Sequence, residues 1–199
     1  MRILDFGGNF GSRDKGVGNL IENFNIKPDL YTCVDIDKKA MDKGRAQYPR
    51  SKWVHYDRYN PMYNSGGQKD ILPRLTELYD VIFSYSVFSH TSYEELTHLI
   101  KFLRAQLKLN GRIFCSVPCS GDRIIKWIYD KRVRDYGSCD DIFHTPDSYF
   151  YLVNNKITDV IPQKCRHLFT VYNSKFIRSI GEVISTSSPQ TFIQVVRNA

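Results

Sequence analysis

Apolar, β-branched runs alternate along this chain with stretches whose apolar residues recur at helical spacing. The runs fall at residues 2–6, 30–34, 52–56, 80–84 and 112–117, and helices are predicted over 17–25, 38–47, 71–78 and 93–108. Such alternation predicts a parallel sheet covered on both faces, because parallel neighbours need a long crossover and a helix supplies it. The helix after Ser92 is the best specified. Ser92-Tyr93-Glu94-Glu95 reads as a capping box, in which the serine hydroxyl and the Glu95 carboxylate satisfy amides of the first turn. Leu96, Leu99, Ile100, Leu103 and Leu107 then make one apolar stripe. Asn110-Gly111 is the predicted stop, since both residues tolerate left-handed backbone.

After Pro118 the pattern changes. Residues 122–136 read as a helix, and 149–153 with 156–161 as a hairpin around Asn154-Asn155. A short helix over 174–180 ends at Gly181. Strands over 182–186 and 191–197 follow, joined by a turn short enough to make them antiparallel neighbours. The predicted architecture is one α/β domain over 1–199, a doubly wound, mostly parallel seven-stranded sheet with a C-terminal antiparallel hairpin strand. An insertion at about 120–167 interrupts it.

Composition narrows the class. With 42% hydrophobic and 25% charged residues, wholesale disorder is excluded. No apolar run is long enough to span a bilayer, and the first residues carry an acid where a signal peptide needs an apolar stretch. A cytoplasmic protein with no membrane partner is therefore expected. Five cysteines, an odd number, argue against a disulfide framework. Cys115, Cys119, Cys139, His144, Cys165 and His167 lack the tight paired spacing of zinc ligands, so no metal is expected. The net charge of +7 is spread along the chain. Its densest stretch, Arg123, Lys126, Lys131, Arg132 and Arg134, reads as a solvated helix face rather than a nucleic-acid track.

Four segments carry chemistry. The first is Asp5-Phe6-Gly7-Gly8-Asn9-Phe10-Gly11, where a buried strand runs into a glycine-rich turn. At the carboxyl edge of a doubly wound sheet such a turn lets backbone approach a ligand, and an acid there suits a ligand carrying positive charge. In the second, residues 31–37, Asp35 ends a strand and can accept both hydroxyl hydrogens of a ribose, while Asp37 suits the N-cap of the next helix. The plain alternative is that both aspartates only cap. The third strand ends at Asp57, an acceptor for the exocyclic amine of adenine, and the fourth opens into the polar, aromatic loop 84–91.

With these elements in order, the sequence resembles the class I S-adenosylmethionine-dependent methyltransferases. The resemblance rests on Asp-x-Gly-x-x-x-Gly at 5–11, the acid-ended strand 31–35, Asp57, YDVIFSYSVFSH at 79–90 and LKLNGRIF at 107–114. It covers residues 2–118 and resumes over 168–197. It implies S-adenosylmethionine as cofactor, with Asp5 and the backbone of Gly7, Gly8, Asn9 and Gly11 around its methionine part. Asp35 would hold the ribose, Ile36 would pack on adenine and Asp57 would bind its amine. The backbone at Ser84 and Tyr85 would meet the methionine ammonium. Asn9 stands where the family's middle glycine is usual, and a second cluster, Gly16-Val17-Gly18, follows.

Methyl transfer to an oxygen or nitrogen of a small molecule is the expected reaction. In-line displacement from a sulfonium needs alignment and a dry site more than anion stabilisation. His90 is the candidate base where the acceptor must lose a proton, with His144 a second and weaker choice; the competing reading of His90 is a loop residue bound to backbone. The aromatic residues of the insertion either wall the acceptor or form its small core, and a second copy of the chain is the other way to complete the site. The rivals are an RNA- or protein-directed methyltransferase, a non-catalytic cofactor-binding partner and a nicotinamide-dependent oxidoreductase.

Overall fold

Strand β1 (Ile3–Phe6) lies at the centre of the sheet, hydrogen-bonded on one side to β2 (Tyr31–Asp35) and on the other to β4 (Tyr79–Ser84). Outside them run β3 (Lys52–His55) beside β2 and β5 (Leu107–Val117) beside β4, all five parallel. Beyond β5 the direction reverses. Strand β7 (Thr191–Val196) is antiparallel to β5 and to the edge strand β6 (Glu182–Ser185), giving the order β3-β2-β1-β4-β5-β7-β6. The computed structural model describes residues 1–10, 20–60, 63–91, 93–118, 172, 174–185 and 191–197. The helix predicted over 122–136, the hairpin over 149–161, Ser92, His144 and the cysteines at 119, 139 and 165 lie outside them.

The period of two in a strand sorts β1 between two cores. Leu4 and Phe6 join a large cluster that includes Leu96, Leu99 and Leu103 of helix α3 (Tyr93–Ala105) and Ile177 of a later helix (Ser174–Ile180). On the other face, Tyr31 and Cys33 of β2 pack with Ile21 of α1 (Leu20–Asn23) and Met41 of α2 (Lys38–Gln47). Described helices thus cover both faces, and the helix over Ser174–Ile180 is α4. No helix among the described residues is long and apolar enough to cross a membrane.

Two boundaries differ from the pattern-based prediction. Residues 71–78 form no helix. Pro73 removes an amide there, and the Ile71 carbonyl, which a helix would pair internally, accepts from Arg58 Nη1 at 2.7 Å. Ile71, Leu72 and Leu75 still pack on the large core. Helix α3 ends at Ala105, short of Asn110, because the Gln106 carbonyl accepts the Tyr79 N–H at 2.9 Å and Leu107 already pairs with β4. Asn110 does take the left-handed conformation (φ 61°), but within β5 rather than at a helix end.

Candidate active site

Strand order reverses between β1 and β4, so the connections leaving their carboxyl ends diverge and leave a crevice. A cavity of about 430 Å³ occupies it. Its wall draws on the turn after β1, on Asp35 to Asp37 after β2, on the 85–91 turn after β4, and on Tyr56, Arg58, Tyr59, Asn60 and Tyr63.

The turn after β1 is hooked to β2. The Gly7 N–H donates to the Val34 carbonyl at 2.7 Å and the Asn9 N–H to Asp35 Oδ2 at 2.8 Å. Gly7 has φ +74°, and a methyl group placed on it would lie 2.1 Å from Val87 Cγ2. Only glycine meets both constraints. Asn9 adopts φ 55°, the left-handed geometry that its side chain tolerates. The other oxygen of Asp35 accepts the Asp37 N–H at 2.9 Å. Asp37 in turn caps α2 by accepting from the Lys39 and Ala40 amides. Burial raises the Asp35 carboxyl above its ordinary range, opposed by the Asp37 and Asn9 amides.

Charge on the described wall is unbalanced. Asp35, Asp37 and Glu95 stand against Arg58, whose Nε donates to Glu95 Oε1 at 2.7 Å. Once that pair is counted, two carboxylates remain beside a lining that includes Phe6, Tyr56, Tyr59 and Tyr85. Such a wall favours a ligand with positive charge.

Of the residues anticipated from sequence, Gly7, Asn9, Asp35, Ile36, Tyr85 and His90 meet on this wall. Others stand behind it. Asp5 pairs in register with Cys33, so its side chain shares the face of the smaller core, where its Oδ2 accepts the Tyr31 hydroxyl at 2.6 Å. A methyl on Gly8 would sit 2.4 Å from Asp5 Cγ, so the buried carboxylate supports the turn from beneath. Asp57 Oδ1 accepts from Asn64 Nδ2 at 3.0 Å, away from the lining, because the chain folds back there to pair Gln68 with Asp57 and Tyr59. Ser84 is fully buried at the end of β4. Gly11, the cluster at 16–18 and His144 lie outside the described residues.

The 56–63 segment was not anticipated. Tyr56, Arg58, Tyr59, Asn60 and Tyr63 reach the cavity from a loop closed by an Asn60–Asn64 bridge. Asn60-Pro61 and Gly66-Gly67 are turn signals in the sequence, but nothing local says which way the loop folds. Glu95, read as a capping partner, also pairs with Arg58, which is 6% exposed, while the Ser92 end of that cap lies outside the described residues. Ser86 was missed too. It takes φ 59°, and its N–H donates to Ser116 Oγ at 2.7 Å. The His90 and Tyr63 rings stand nearly perpendicular, with centroids 5.2 Å apart, and the His90 carbonyl accepts from Asn60 Nδ2 at 3.1 Å.

No family model matches the chain. Among curated proteins, a non-reducing polyketide synthase of Stereocaulon alpinum is 26% identical over 151 residues, which is 76% of this chain and 5% of that protein. Among solved structures, the magnesium protoporphyrin IX methyltransferase of Synechocystis PCC 6803, with bound SAH, aligns at a TM-score of 0.51 and 12% identity over 99% of this chain and 74% of that one. An O-methyltransferase family protein from Burkholderia thailandensis aligns at 0.51 and 14% over 100% of this chain, which spans 51% of that protein's length. At these identities the likeness is one of fold: the seven-stranded sheet with its closing antiparallel strand is similar to the folds of these methyltransferases.

Proposed function

We propose that this chain, on the class I methyltransferase fold, is an S-adenosylmethionine-dependent enzyme that methylates an oxygen or nitrogen of a small molecule. The observation that carries the reading is the meeting of Asp35, Ile36 and the Gly7–Asn9 turn on one cavity wall at the point where strand order reverses. The donor set fits the cofactor. A carboxylate that only accepts hydrogen bonds suits the two ribose hydroxyls, and the excess of carboxylates suits a cation. The cavity volume also falls within the range of about 300–1,000 Å³ usual for small-molecule sites.

When bound, S-adenosylmethionine supplies a methyl group on a positively charged sulfonium. Asp35 would hold the ribose, Ile36 would pack on adenine, and the backbone of Gly7 and Asn9 would cradle the methionine part. Tyr85 would turn its main chain to the ammonium group. Asp5 acts one layer behind, by fixing Gly8. His90 is the wall residue suited to take a proton from an acceptor O–H or N–H. Tyr59, Tyr63 and Tyr85 supply planar surface that excludes water and orients an acceptor.

Calorimetric titration of the full chain with S-adenosylhomocysteine and, separately, with NAD tests this directly. Binding of the first and not the second is the expected result. Binding of NAD alone would replace the reading with a dinucleotide enzyme, and binding of neither would remove the site.

A further inference from the structure

We propose that Tyr172 is a positioning residue for His90, its buried hydroxyl holding in place the turn that carries the imidazole to the cavity. The functional meaning of that placement rests on the methyltransferase reading above. The turn is one that needs holding. Ser86 enters it in the left-handed region at φ 59°, where a residue with a side chain is strained. A single 3-10 turn over Phe88–His90 follows, closed by the His90 N–H on the Val87 carbonyl at 2.9 Å.

The start of the turn is held by Ser116 and Ser89, whose buried hydroxyls bond the main chain of Ser86, and two further buried hydroxyls hold its far end. The Tyr172 hydroxyl lies 2.8 Å from the Thr91 carbonyl and 3.0 Å from the Phe88 carbonyl. Thr91 Oγ1 lies 3.1 Å from the Phe88 carbonyl and 2.9 Å from the Tyr172 hydroxyl. Two hydroxyl protons thus serve two main-chain carbonyls bracketing His90, and loss of either hydroxyl removes a donor that these carbonyls share. Tyr172 is itself fixed. It is 2% exposed, its N–H donates to the Pro118 carbonyl just past β5 at 2.8 Å, and its ring lies 6.0 Å from that of Phe176 on α4. The hydroxyl therefore ties the His90 turn to the sheet end and to α4, whose described residues stand outside the cavity lining.

The same tie reaches the glycine turn. Val87, at the start of the held segment, has its Cγ2 2.1 Å from where a Gly7 methyl would be. A turn displaced by a fraction of an ångström would change the cavity at both His90 and Gly7. The contacts of His90 with Asn60 and Tyr63 come from the opposite loop and do not fix the main chain of residues 86–89.

The experiment compares the full chain with Tyr172→Phe, Thr91→Val and Thr91→Ser. It follows the His90 imidazole C–H resonances, assigned with His90→Gln, and hydrogen exchange of the His90 amide. Tyr172→Phe and Thr91→Val are expected to move the His90 signals and to speed its amide exchange by about tenfold or more, through local opening. Thr91→Ser, which keeps the hydroxyl, is expected to retain the wild-type signals. Unchanged His90 signals in a folded Tyr172→Phe would overturn the proposal. Should that variant fail to fold, unchanged signals in Thr91→Val would do the same. A wild-type chain that binds no S-adenosylhomocysteine would defeat the methyltransferase reading, while the His90 comparison would still decide the role of Tyr172.

Discussion

Burial raises the Asp35 carboxyl above its unfolded value of 3.8, and this shift makes stability and binding depend on pH in opposite senses. A folded pKa above the unfolded one means that the native state holds its proton longer. Asp35 therefore costs folding stability as pH rises from 3.8 through the raised folded value. A ligand donating hydroxyl hydrogens to the ionised carboxylate offsets that cost. Affinity for S-adenosylhomocysteine is expected to weaken as pH falls through the raised Asp35 pKa, earlier than for an ordinary carboxylate. Asp35→Asn should remove this dependence and bind more weakly at neutral pH by about 1–3 kcal/mol, as calorimetry across the pH range would show. Gly7 makes a second prediction. Gly7→Ala combines φ +74° with a methyl 2.1 Å from Val87, and is expected to lower stability by about 1–3 kcal/mol in denaturant unfolding. Gly66→Ala, where an added methyl meets nothing within 4 Å, should leave the midpoint in place.

The elements show where local pattern suffices and where it does not. Helix α3 obeys its stripe: Leu96, Leu99, Ile100 and Leu103 are all buried on the large core, so Leu103→Ala is expected to cost about 2–5 kcal/mol on denaturant unfolding. Leu107 completes the same stripe in sequence but is buried as part of β5, because pairing with Tyr79 satisfies its backbone as a further helical turn would have done. The 71–78 segment has helical periodicity and is not a helix. Arg58, earlier in the same connection between β3 and β4, takes the Ile71 carbonyl and pairs with Glu95, thereby pinning this connection to α3. The side chains of that pair are 7% and 20% exposed. Glu95→Gln is therefore expected to destabilise by about 2 kcal/mol, less than for a fully buried pair because Glu95 keeps some water contact. Asp42, whose partners Lys38 and Arg45 are exposed, should be replaceable by asparagine with no measurable change in the denaturant midpoint.

For the whole molecule, the central reversal of strand order creates the cavity, and a ligand bound there adds stability by mass action. S-adenosylhomocysteine at a hundredfold excess over its dissociation constant is expected to stabilise the chain by about 2.7 kcal/mol, read as a rise in the thermal midpoint that NAD does not produce. The five parallel strands, their helices and the closing hairpin were legible in the sequence because burial on both faces of a sheet imposes apolar runs, and the helices between them impose a 3.6-residue period. Asp35 was legible because it stands at the tip of such a run. Asp5 and Asp57 stand at similar positions, yet they differ: register turns Asp5 towards Tyr31, and a chain reversal gives Asp57 to Asn64. The periodicity of the chain determined the order of the strands and the presence of α2 and α3, since each is fixed by neighbours within a few residues, whereas at 71–78 the contact from Arg58 overrode it. A contact across 26 residues turned Asp5 from the cavity, a reversal of only seven residues took Asp57, and contacts across 30 to 81 residues set how Arg58 closes on α3 and what holds His90. Such contacts leave no period to read, because their partners come together only when the sheet has formed.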